Sequence, residues 1–200
     1  MKLKVCGLKE QENVKLVLDN EPDYVGFIFY EKSPRYAGHL SSSFVSALAK
    51  PTKVGVFVNA SCAFINEIVR KYGLDMVQVH GDESVQTVAE LHSEGHRIIK
   101  VFRVEDQLPG NWSDYKAYSE MFLFDTKSKS YGGTGRRFDW TILGPVDHPF
   151  LLSGGIGIEE IAEIRDLKNP YLVGIDVNSR VEVSPGNKDI EKVKQLKQLL

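Results

Sequence analysis

The stretch YVGFIFY (24–30) is apolar almost throughout and does not alternate. A strand with one face in water alternates polar and apolar residues. A strand buried on both faces reads as a continuous apolar run, as in a parallel sheet covered by helices. Seven further strand-sized runs share this character: KLKVC (2–6), KVGVFV (53–58), DMVQVH (75–80), RIIKVF (97–102), MFLFD (121–125), PFLLSGG (149–155) and YLVGID (171–176). The segments between them carry helical periodicity. Residues 9–20 place Val14, Val17 and Leu18 on one face. Residues 60–73 align Cys62, Ile65, Ile68, Val69 and Tyr72, with Gly73 as a stop. Residues 82–95, 156–167 and 187–200 are amphipathic too, whereas 105–120 and 136–146 hold only short helices.

Eight such strands alternating with helices, without a domain-sized linker, predict an α/β chain folded as one closed (β/α)8 TIM barrel over residues 1–200. An open doubly wound sheet is the rival, but no point in the chain suggests a reversal of strand order. The short fifth and sixth connections account for a length at the lower edge for such barrels.

Composition narrows the function. The net charge is −2, and acidic and basic residues are mixed, with no basic stripe for nucleic acid. No run of about 18 apolar residues crosses a membrane, and no signal peptide precedes the first strand. The expectation is a soluble, cytoplasmic protein, a monomer or homodimer, whose partner is a small molecule. Its two cysteines are expected to be free thiols.

In a barrel of this type, chemistry gathers where strands end and βα loops begin. Those positions hold Cys6, Asn59, His80, Arg103, Asp125, Ser153 to Gly155 and Asp176, with Arg35 in the loop EKSPRYAG (31–38). The glycines of SGGIG (153–157) suit either a tight turn or a phosphate cradle backed by the next helix. Asn178 and Ser179 lie in the neighbouring eighth loop, where a phosphate is often shared. Asp125 reads as a loop salt bridge or helix cap, or as a sheltered acid or base whose pKa burial would raise. Arg35 reads as a surface residue or as a clamp for a carboxylate or phosphate. Cys6 reads as a small core residue or as a nucleophile or base, the latter needing a lowered pKa and having no evident partner. Cys62, on an apolar helical stripe, reads as buried and inert. His80 is a weaker candidate, and no histidine or cysteine spacing suggests a metal site. YGGTG (131–135) reads as a lid or tight turn.

The pieces KVCGLK (4–9), GFIFYEKSPRY (26–36), VGVFVN (54–59), VQVHGDE (77–83), FLFDTKSKSYGGTGRRFDW (122–140), LLSGGI (151–156) and GIDVNSRVEVSPGNKD (174–189) together resemble the phosphoribosylanthranilate isomerase family. The resemblance implies a (β/α)8 barrel without metal or organic cofactor, and an Amadori rearrangement of N-(5-phosphoribosyl)anthranilate. It implies Cys6 as general base, Asp125 as general acid and Arg35 as ligand of the anthranilate carboxylate. Gly154, Gly155 and the turn at Asn178, Ser179 and Arg180 would hold the phosphate. One departure stands out: the family's D-x-S-S-G-x-E run is here DVNSRVE (176–182), with Asn178 and Arg180 replacing serine and glycine. Arg180 is therefore expected either to strain or shift the turn, or to add charge to the phosphate site. Lys9, where the family often has threonine, is expected to matter little. The same scaffold admits another sugar-phosphate isomerase, an indoleglycerol-phosphate synthase-like lyase, or a non-catalytic phosphometabolite binder.

Overall fold

The computed structural model describes residues 1–126 and 138–200, and YGGTG (131–135) lies outside the described residues. Eight parallel strands close a barrel in sequence order: β1 (Lys2–Val5), β2 (Tyr24–Ile28), β3 (Thr52–Phe57), β4 (Met76–Val79), β5 (Ile98–Val104), β6 (Met121–Thr126), β7 (Phe150–Leu152) and β8 (Leu172–Val177). Closure is made by β1 on β8, in the register Lys2↔Gly174, Leu3↔Ile175, Lys4↔Asp176 and Val5↔Val177.

Side chains alternate across each strand, so the barrel has two apolar layers. Leu3, Val5, Phe27, Phe122 and Phe124 point outward and pack with the helices. Tyr24, Val54, Met76, Ile99, Val101, Leu123 and Leu151 point inward and fill the barrel's lower half. Both faces are dry, which is why the strands read as continuous apolar runs. On β1 the inward positions are Lys2, Lys4 and then Cys6, and on β6 they are Met121, Leu123 and then Asp125. The interior thus changes from apolar to polar at its C-terminal mouth.

The helices are α1 (Gln11–Leu18), α2 (Ser42–Ser46), α3 (Cys62–Tyr72), α4 (Val85–Ser93), α5 (Ile161–Asp166) and α6 (Ile190–Leu199). Serine or aspartate side chains cap four of them: Ser41, Ser61, Ser84 and Asp189 accept from backbone N–H groups in the first turn. Gly73 ends α3 in the left-handed conformation, as its position predicts. Among the described residues, the fifth and sixth connections hold only 3₁₀ turns, Trp112–Tyr118 and Trp140–Leu143.

Two expectations are corrected, and one element is added to those expected. The helix expected from residue 156 begins at Ile161, because the Glu160 carboxylate turns back to accept the Gly157 N–H at 2.7 Å. Cys62 is half-buried rather than buried, since it opens α3 directly after the cap. A short antiparallel hairpin, β9 (Glu182–Ser184) with β10 (Asn187–Lys188), follows a 3₁₀ turn at Ser179–Val181 in the eighth loop. Among the described residues no helix is long and apolar enough to cross a membrane.

Candidate active site

Cys6 follows β1 directly, its N–H bonded to the Val177 carbonyl at 2.9 Å, and its side chain is buried. Gly26 on β2 makes room for it: a Cβ there would meet the Cys6 sulfur at 2.7 Å. Below Cys6, on the same inward face, the buried Lys4 ammonium bonds Asp176 Oδ1 at 2.9 Å. Burial pushes the Cys6 thiol up from its ordinary pKa. The Lys4 and Lys188 ammoniums pull it back, while Asp176 adds to the rise. Burial likewise raises Asp176 against the pull of Lys4. Lys4, despite its own burial, is held above its ordinary value by Asp176 and Cys6.

Asp125 lies near the end of β6, partly exposed, with its Oδ2 3.3 Å from His80 Nε2. Gln78 Nε2 in turn lies 3.0 Å from His80 Nδ1.

Arg35 is brought from the second loop onto the eighth. Its Nε donates to Glu182 Oε1 at 2.9 Å and its Nη2 to Glu182 Oε2 at 2.7 Å. Lys188, fully buried on β10, donates to Glu182 Oε1 and to Asn178 Oδ1, each at 2.7 Å. Although burial works against it, the Arg35 and Lys188 bonds hold the Glu182 carboxyl below its usual range. Burial lowers Lys188 despite that carboxylate. Lys9 also takes part, reaching the Pro34 carbonyl at 3.1 Å and tying the first loop to the second.

Gly154 and Gly155 both have positive φ, 94° and 75°. At Gly154 space is also closed, since a Cβ would lie 2.3 Å from Thr126 Oγ1. Among the described residues, none accepts a hydrogen bond from either glycine's N–H. The short α5 starts too late to support this turn with its first N–H groups; the 3₁₀ turn of the eighth loop holds Ser179 and Arg180, with Asn178 at its N-terminal cap. Arg180 sits in that 3₁₀ turn without positive φ, so the strain considered for it does not arise. Its Nη2 pairs with Glu159 at 2.9 Å, across the seventh and eighth loops.

The mouth therefore gathers Cys6, Asp125, Arg35, Gly154, Gly155, Asn178, Ser179 and Arg180 onto the loops or strand ends of one barrel rim. Other strand-end candidates serve the frame. Asn59 Oδ1 accepts the Asp82 N–H at 2.7 Å, and Arg103 pairs with Asp82. Lys4, Lys188 and Glu182 carry no role in the sequence reading. Lys4 lies two residues before Cys6 and so shares its face, but nothing in the sequence marks it as a partner of that residue.

A thiol and a carboxyl thus stand at the inward ends of two strands, beside a two-glycine turn, on the C-terminal rim of a (β/α)8 barrel. A sequence profile of N-(5'-phosphoribosyl)anthranilate isomerase matches residues 3–199. The protein of that name from Parabacteroides distasonis is 40% identical over 97% of this chain and 90% of its own length. The phosphoribosyl anthranilate isomerase structure from Thermus thermophilus superposes with a TM-score of 0.87 at 26% identity, covering 100% of this chain and 98% of its own. That from Thermotoga maritima gives 0.83 at 30% identity, with coverages of 100% and 98%. The chain belongs to the phosphoribosylanthranilate isomerase family.

Proposed function

We propose that the barrel mouth performs this family's rearrangement with Cys6 as general base and Asp125 as general acid. As a member of the family, the protein is an isomerase of tryptophan biosynthesis. It converts N-(5'-phosphoribosyl)anthranilate, an aminoaldose, into 1-(2-carboxyphenylamino)-1-deoxyribulose 5-phosphate, an aminoketose.

Protonated Asp125 donates to the ribose ring oxygen, and the ring opens to a Schiff base. The cationic imine acidifies the proton on sugar C2. The Cys6 thiolate removes that proton, giving an enolamine that tautomerises to the ketone. The imine is the electron sink, so the chain's own residues need only hold, donate and accept protons. Arg35 holds the anthranilate carboxylate. Glu182 takes its Nε and Nη2 and leaves Nη1 to the substrate. The N–H groups of Gly154 and Gly155, with Asn178 and Ser179, receive the phosphate. Arg180 adds its guanidinium there by exchanging the exposed Glu159 for the phosphate dianion. The same reading keeps the protein in the cytoplasm, as a monomer or a homodimer.

The observation that carries this reading is the convergence of Cys6, Asp125, Arg35 and the glycine turn on one rim in a chain of this family. The test is turnover by the purified protein of N-(5'-phosphoribosyl)anthranilate beside a ribulose phosphate. Turnover of the anthranilate adduct alone is expected. Turnover of the sugar phosphate alone would assign the mouth to another aldose–ketose isomerase.

A further inference from the structure

Cys6 is flanked by charges to which the proton transfers above give no task. From β1 it is faced by Lys4, and from β8 by Asp176. From the hairpin it is faced by Lys188, which is neutralised by Glu182, itself bound to Arg35. From β2, Gly26 adjoins it. The Lys4 side chain is 0% exposed and that of Asp176 5%. A buried ion pair is commonly no more stable than an apolar pair of the same volume, so fold stability alone does not account for one here. The arrangement is asymmetric: a single buried ammonium bonds a carboxylate and lies on the same inward face as Cys6, two residues before it. A nearby cation favours a thiolate and a nearby anion opposes it, and both effects grow where water is excluded.

We propose that Lys4 and Asp176 are positioning residues of opposite sign for Cys6. Lys4 stabilises the thiolate, and Asp176 restrains it by occupying the same ammonium. The proposal rests on Cys6 being the base, and it supplies the activating partner that the sequence does not reveal.

The test reads the thiol directly, in full-length protein carrying Cys62→Ser so that one cysteine reacts. The rate of Cys6 alkylation by iodoacetamide is followed against pH by intact mass. Lys4→Met is expected to move the midpoint to higher pH by roughly one unit or more, slowing alkylation about tenfold at a fixed pH below it. Asp176→Asn is expected to move the midpoint the other way. Lys4→Met leaves Asp176 buried without its cation; should it fail to fold, the double variant Lys4→Met/Asp176→Asn carries the test. Its midpoint is expected above that of Asp176→Asn alone. Midpoints that do not move in folded variants, or that move in the same direction for both single changes, overturn the proposal. A midpoint that shifts as expected in Lys4→Met while isomerase turnover stays at the parent level would instead remove Cys6 as the base.

Discussion

The proton donor and the carboxylate clamp meet different surroundings, and their variants are expected to fail differently. Asp125 stands 3.3 Å from His80 near the C-terminal end of β6. Asp125→Asn keeps the shape and removes the donor, so kcat is expected to fall by about 10²–10⁴-fold with little change in KM. Steady-state kinetics on protein with unchanged circular dichroism checks this. Glu182 acts at one remove, through Arg35 and Lys188. Glu182→Gln loosens the guanidinium, so KM is expected to rise about tenfold, more than kcat falls. Equal losses in both would show that Glu182 supports the fold rather than the substrate. Position and type made Cys6 and Asp125 legible in the sequence as candidates, being polar residues ending apolar strands, and Arg35 as a cation in the loop after β2. The partners of Cys6 were not. Asp176 is 172 residues from Lys4, and only closure of the barrel brings them together.

At the scale of elements, the strands were legible because burial on both faces leaves an unbroken apolar run. The seventh βα unit was read less well. Its helix pattern starts at residue 156, but Glu160 spends its carboxylate on the turn and delays α5. The β9–β10 hairpin escaped because strands of three and two residues are too short to show a period. The seventh loop also makes a sharp prediction. Gly154→Ala forces a side chain onto φ 94° and against Thr126, at the turn proposed to receive the phosphate. It is expected to weaken inhibition by inorganic phosphate at least about tenfold while β7 stays folded. Unchanged phosphate inhibition would remove this turn from the site.

Across the whole molecule, the barrel joins chain ends that sequence periodicity cannot join, and its stability and chemistry respond to pH through the same buried charges. The folded-state pKa of Glu182 lies below its unfolded value, so its stabilisation is complete above the ordinary glutamate range. It is lost as pH falls through the lowered folded value. The urea midpoint is expected to drop on acidification through that window, and to drop less in Glu182→Gln. Burial raises the Cys6 thiol, so the rising limb of kcat/KM against pH is expected above the ordinary thiol value of about 8.5. Turnover of N-(5'-phosphoribosyl)anthranilate by the wild-type protein and by Cys6→Ala, prepared and assayed side by side, tests the central claim most directly. The account predicts clear turnover by the wild type and a loss of at least about a hundredfold in the folded variant. Wild-type turnover equal to buffer, or a Cys6→Ala variant as fast as the wild type, would contradict it.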